Sequence, residues 1–101
     1  MKKHQKALDH WFKQKKWQYW PPLEILARLM EEVGELARLV NHLHGSKKKK
    51  DSEGKQELEM EIGDILYTLI CLANSQGIDL DSAIEKSFKK VAKRDRNRFA
   101  A

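Results

Sequence analysis

Hydrophobic positions recur along this chain at intervals of three and four, and nowhere do they alternate with polar ones over the length a half-buried strand needs. That pattern predicts an all-α fold. A first helix is expected over about Gln5 to Gln18, with Ala7, Leu8, Trp11, Phe12 and Lys15 at helical spacing. Pro21-Pro22 ends it, because the residue before a proline avoids the α region and proline has no N–H for a helix interior. Pro22 suits the first turn of a second helix, expected to reach His44 with Leu26, Leu29, Met30, Val33, Leu36, Ala37, Val40 and Leu43 as its apolar stripe. Gly45 stops it. The stretch from Gly45 to Lys55 has no apolar residue, can bury nothing, and is expected to be a mobile connector. A third helix follows from about Gln56 to Gln76 and closes at Gly77. Asp79 or Asp81 caps a fourth, running to about Phe99.

Four helices in 101 residues make one domain, a compact four-helix bundle spanning residues 1–101. The second and third helices are apolar over more than the one stripe such a bundle can cover, so assembly into a homodimer or homotetramer is expected. The longest apolar run, Ile65 to Ala73, is interrupted by Tyr67 and Thr68 and is far shorter than the roughly 20 residues of a membrane span. The opening Met1-Lys2-Lys3-His4-Gln5-Lys6 lacks the apolar core and cleavage site of a secretory leader. With Cys71 the only cysteine, no internal disulfide can form, and a reducing cytoplasmic setting is the expectation. Cys71 lies among Leu69, Ile70 and Leu72 and reads as a buried, inert thiol.

The formal net charge of +5 changes the picture only once it is mapped. Residues 1–20 carry six lysines against Asp9, and residues 83–101 carry seven Lys and Arg against Glu85 and Asp95. The middle is acidic, with Glu31, Glu32 and Glu35 on the second helix and Glu57, Glu59, Glu61 and Asp64 on the third. Lys47 to Lys50 form a basic run inside the connector, where four lysines are usually only solvated. His42 and His44 end the second helix, where a cation suits the dipole, and they have no acid or cysteine at ligand spacing.

One pattern, acid, β-branched aliphatic, glycine, acid, occurs twice: Glu32-Val33-Gly34-Glu35 and Glu61-Ile62-Gly63-Asp64. Acids at i and i+3 lie about 60° apart around a helix and roughly 4.5 Å along it, so each pair projects to one face. The connector lets the two helices run antiparallel and bring the pairs together. Gathered carboxylates repel, and an all-oxygen ligand set with no matching His or Cys selects a hard cation, Mg²⁺ with Mn²⁺ as its substitute, over Zn²⁺. Glycine inside a helix costs about 1 kcal/mol relative to alanine, so Gly34 and Gly63 suggest close helix approach or room for a ligand.

At these residues the sequence resembles the MazG-type all-α nucleoside triphosphate pyrophosphohydrolases, whose signature is Glu-Glu-x-x-Glu, a variable connector, then Glu-x-x-Asp. Here it reads Glu31-Glu32-Val33-Gly34-Glu35, 25 residues, and Glu61-Ile62-Gly63-Asp64. The likeness runs from about Pro22 to Phe99 and includes Glu35-Leu36-Ala37, Cys71-Leu72-Ala73-Asn74 and Gly77-Ile78-Asp79-Leu80. The resemblance implies Mg²⁺-dependent cleavage of a nucleoside triphosphate between its α and β phosphorus atoms, giving monophosphate and pyrophosphate. It implies metal ligation by Glu32, Glu35, Glu61 and Asp64, with Glu31 and Glu35 as catalytic carboxylates near the attacking water. It also implies phosphate binding by Lys86, Lys90 and Arg94, which recur every four residues on the last helix. In such proteins the segment before the second helix helps to enclose the base, which makes Trp17 and Trp20 candidates for stacking on it; packing on the bundle or an oligomer interface is their alternative role. A phosphoribosyl-ATP pyrophosphohydrolase is the second functional reading. A non-enzymatic helical module that binds nucleic acid through its basic ends is the third, disfavoured because clustered acids would repel a phosphate backbone.

Overall fold

The computed structural model describes residues 1–44 and 51–95 and is all-α, with α1 at Lys2–Lys15, α2 at Pro22–His44, α3 at Asp51–Ser75 and α4 at Leu80–Asp95. No strand occurs among the described residues. The Lys47 to Lys50 run and the expected end of α4 at Phe99 lie outside them. None of the described helices is long and apolar enough to cross a membrane.

Three helix ends differ from the sequence-based expectation, and the first is the start of α1, at Lys2 rather than near Gln5. α1 stops at Lys15, three residues early, because Lys16 turns left-handed at φ 58°. Its N–H bonds Lys13 O at 3.2 Å while the Trp17 N–H bonds Phe12 O at 2.9 Å. This is a Schellman closure with lysine where glycine is usual, so no glycine marks the end. α3 begins at Asp51 rather than near Gln56, because extending an established helix fixes one residue for each hydrogen bond gained. It also has a packing partner there, since Gly54 is buried and a Cβ on it would overlap the Leu43 side chain. Gly77 ends α3 as expected, with φ at +66°. Ile78 N–H bonds Ala73 O at 2.8 Å and Gly77 N–H bonds Asn74 O at 3.3 Å, again a Schellman motif. Of the two candidate caps for α4, Asp79 does the work: its Oδ1 accepts from Asp81 N–H at 3.0 Å.

α2 and α3 form the main packed pair. Leu43 meets Gly54 at one end and Ile25 shares a cleft with Thr68 and Cys71 at the other, so the two helices run antiparallel. α2 has two apolar faces. Ile25, Glu32 and Leu39, spaced by seven, are its buried residues, with Leu29, Leu36 and Leu43 half-buried alongside them. Leu26, Met30, Val33, Ala37 and Val40, five of the eight residues of the stripe expected from the sequence, are exposed, Met30 at 62%. Spacing of three and four cannot rank two such faces, and Glu32 on the packed seam disguised the inward one. α1 lies against α3 through a small core of Leu8, Phe12 and Ile70, to which Tyr19, Cys71 and Leu80 add. α4 buries no residue and leaves Ile84, Phe88 and Val91 open.

Gly34 and Gly63 correct one expectation: a Cβ at either would meet nothing within 4 Å, so neither glycine mediates close approach between helices of one chain. Gly34→Ala is therefore expected to stabilise the protein by about 0.5–1 kcal/mol through helix propensity alone. Thermal melting should then rise by roughly 2–8 °C for a domain of this size. A fall instead would show that the space is filled in solution by a second copy.

Candidate active site

The seam between α2 and α3 carries acids where a bundle would carry leucine. Glu32 is 3% exposed, and ligand oxygens of Glu32, Glu61 and Asp64 lie within 4.8 Å of one another. Arg28, one turn before Glu32, places Nη2 at 2.9 Å from Glu32 Oε1 and Nη1 at 3.6 Å from Glu31. One guanidinium cannot neutralise the cluster. Burial holds the Glu32 carboxyl above its usual range, with Arg28 opposing and Glu35, Asp64 and Glu31 adding to the rise. Glu61 is raised in the same way, by burial first, then by Glu35, Glu32 and Asp64, and by a hydrogen bond with Glu35.

Two buried oxygens, Oε2 of Glu32 and Oε2 of Glu61, have no hydrogen-bond partner. A buried acceptor without a donor is costly, and a cation could satisfy both of these on neighbouring carboxylates. The donor set is all oxygen, which fits a hard divalent ion. The chain thus presents a group of carboxylates suited to a metal ion.

The cluster borders an open cleft of about 930 Å³ whose lining includes Glu32, Asp64 and Arg28 together with Phe12, Trp17, Tyr19 and Trp20. Lys16, Gln18, Ile25, Tyr67, Thr68 and Cys71 complete it. The aromatic wall is assembled edge to face: the Trp17 ring lies 5.1 Å from Trp11 and 5.6 Å from Phe12, while Tyr19 stacks on Phe12 at 4.5 Å. Such contacts hold the rings in place beyond their area burial. Thr68, buried, donates to the Asp64 carbonyl at 2.9 Å. Burial pushes the Tyr67 phenol up to about 12, with Cys71 contributing. Burial also raises the Cys71 thiol, against a hydrogen bond with Tyr67 that lowers it. Cys71 is half-buried and lines the cleft, and its raised pKa keeps it a thiol.

The structure therefore brings together Glu32, Glu61 and Asp64, with Glu35 in electrostatic contact, and sets Trp17 and Trp20 on the same cleft. It places other candidates elsewhere. Glu31 is exposed and paired with Arg28. Lys86, Lys90 and Arg94 are exposed on α4, outside the cleft lining, and Arg94 forks onto Asp95 at 3.1 and 2.9 Å. Sequence reading did not assign Lys16, Tyr19, Tyr67 or Thr68 to the site. The available signal was Tyr67-Thr68 breaking an otherwise apolar run, which marks where α3 passes under the cleft.

An all-α chain with paired carboxylate motifs on two antiparallel helices, opening on an aromatic-walled cleft, has the make-up of a metal-assisted phosphate-ester or anhydride hydrolase. Residues 21–99 match the family described as the MazG nucleotide pyrophosphohydrolase domain, and the chain belongs to that family. It is 46% identical over 99 residues to the uncharacterised protein YpjD of Bacillus subtilis (strain 168), covering 98% of this chain and 89% of YpjD. The crystal structure of YPJD from Bacillus subtilis superposes with a TM-score of 0.78, covering 94% of this chain and 95% of that one at 46% identity. The crystal structure of the Bacillus-conserved MazG protein, a nucleotide pyrophosphohydrolase, gives a TM-score of 0.74 at 43% identity, covering 88% of this chain and 85% of that one.

Proposed function

We propose that the protein is a Mg²⁺-dependent pyrophosphohydrolase of (deoxy)nucleoside triphosphates, releasing monophosphate and pyrophosphate and clearing unwanted nucleotides from the cytoplasmic pool. The observation that carries this reading is the pair of unpartnered buried oxygens on Glu32 and Glu61, at the edge of a cleft walled by tryptophan and tyrosine. Glu32, Glu35, Glu61 and Asp64 are the residues to hold the ion. Bound there, Mg²⁺ would supply charge neutralisation on the phosphates and a lowered pKa for the attacking water. The chain's own part is to converge the carboxylates, to keep Glu32 oriented through Arg28, and to clamp the base. Glu31 and Glu35 are the carboxylates available to orient or deprotonate water. Trp17 and Trp20 give a stacking surface that tolerates many bases, which suits a house-cleaning role. Mn²⁺ is expected to substitute for Mg²⁺.

Lys86, Lys90 and Arg94 are assigned to substrate phosphates on the strength of the family pattern. The uncovered apolar faces of α2, α3 and α4, including Met30, Ile62, Leu66 and Phe88, support assembly as a homodimer or homotetramer.

A panel of the eight common NTPs and dNTPs and phosphoribosyl-ATP, each incubated with Mg²⁺, tests the substrate class. Turnover of several triphosphates is expected, with phosphoribosyl-ATP a poorer substrate. Exclusive turnover of phosphoribosyl-ATP would overturn the assignment.

A further inference from the structure

We propose that Asn74, which no cleft contact includes, is a positioning residue for nucleotide binding: its carboxamide ties Tyr19 to Gln5 and so fixes the linker that carries Trp17 and Trp20. This inference rests on the proposed use of the cleft as a nucleotide site. The linker between α1 and α2, residues 16–21, has no regular structure of its own, yet it supplies much of the aromatic wall. Among the described residues, the Tyr19 phenol supplies its hydrogen bond to α3, and the Tyr19 ring packs against the core that includes Ile70. Tyr19 Oη donates to Asp9 Oδ1 at 3.1 Å and accepts from Asn74 Nδ2 at 2.9 Å, while the ring stacks on Phe12.

Asn74 itself is fully used. Nδ2 also donates to the Gln5 carbonyl at 3.0 Å, and Oδ1 accepts from Gln5 Nε2 at 3.1 Å. Gln5 is buried and continues the chain of bonds: Nε2 donates to Ile78 O at 2.8 Å, and Oε1 accepts from Leu80 N–H at 3.0 Å. Two side-chain amides thus pin α1, the end of α3, the turn into α4 and the linker to one another. An amide with both hydrogens and its oxygen occupied has one orientation and cannot be exchanged for an apolar residue without stranding its partners. Proton positions agree with this: a hydrogen bond from Lys13 holds Asp9 below its usual range, and burial holds the Tyr19 phenol above its own, so Asp9 accepts and Tyr19 donates at neutral pH. The network stands outside the cleft, whose lining includes Tyr19 but neither Asn74, Gln5 nor Asp9.

The test uses Asn74→Ala and Tyr19→Phe in the full chain, the second keeping the stacked ring if the first fails to fold. All three tryptophans, Trp11, Trp17 and Trp20, lie on α1 or the linker, so intrinsic fluorescence reads this wall directly. Each variant is expected to raise the KM for nucleoside triphosphate about tenfold, the weight of one good hydrogen bond, with kcat held within about twofold. Acrylamide quenching of tryptophan should increase in each. The double variant should be no worse than the more affected single one, since both remove the same bond. An unchanged KM with unchanged quenching in a folded variant would overturn the proposal, as would a kcat collapse at constant KM. If the wild-type protein turns over no nucleotide, the functional reading fails, and quenching alone still decides whether Asn74 orders the wall.

Discussion

Replacing Glu61 by glutamine is expected to lower nucleotide turnover by roughly 10²–10³-fold, the loss that would follow from removing one carboxylate ligand of the cation proposed to neutralise the phosphates. Without divalent cation the same substitution should raise the melting temperature. Both effects have one cause. Glu61 is crowded by Glu32, Glu35 and Asp64 and raised by burial, so its charge is unfavourable in the folded chain until a cation offsets it. Glutamine keeps the shape and removes the charge. Glu61 is a cleaner choice than Glu32, whose loss would also free Arg28 from its 2.9 Å ion pair. Full activity in Glu61→Gln would remove the carboxylate cluster from the mechanism, and a lower melting temperature would contradict the electrostatic account.

Stability should fall as pH rises above the ordinary glutamate range, and divalent cation should reverse that fall. The folded pKa values of Glu32 and Glu61 lie above 4.5. Between 4.5 and those folded values the native chain binds more protons than the unfolded one, so stability declines with increasing pH through that window. Asp9 acts in the opposite sense. Its carboxyl is lowered below 3.8 by Lys13, so the stability it adds is present above 3.8 and lost as pH falls through its folded value. A divalent ion held by the folded cluster, as proposed, would compete with protons for the glutamates and stabilise by mass action. Melting curves with and without Mg²⁺ are therefore expected to separate widely at pH 8 and converge toward pH 5. Equal separation at both pH values, or none at pH 8, would argue that the acids do not form the cation site.

The four helices and the convergence of Glu32, Glu61 and Asp64 were legible because local rules govern both. Proline at 21 and 22, glycine at 77 and an aspartate cap at 79 are backbone chemistry written into the residues themselves. The repeat of Glu32-Val33-Gly34-Glu35 as Glu61-Ile62-Gly63-Asp64 required only helical geometry to predict convergence. What escaped depends on tertiary contact. Lysine at 16 ends α1 in a left-handed turn that glycine would have advertised, and α3 reaches back to Asp51 alongside Leu43. The inward face of α2 carries Glu32 and Leu39, while the more continuous apolar stripe through Met30 and Val33 faces outward. Spacing of three and four gives no means of ranking those faces. The amide chain from Gln5 through Asn74 to Tyr19 joins positions as far as 69 residues apart, which no periodicity reveals.

The charge map acquires a geometry from these contacts. Three acids of the middle, Glu32, Glu61 and Asp64, converge into one cluster with two unsatisfied oxygens, and among the described residues the basic side chains lining the cleft are Lys16 and Arg28. The segment between α1 and α2 provides the aromatic surface beside them.

Product analysis after incubation of the pure protein with a nucleoside triphosphate and Mg²⁺ tests this account most directly. Nucleoside monophosphate and pyrophosphate should appear together in equal amounts from the first time point. Diphosphate with inorganic phosphate as the first products, or no turnover of any triphosphate, would contradict it.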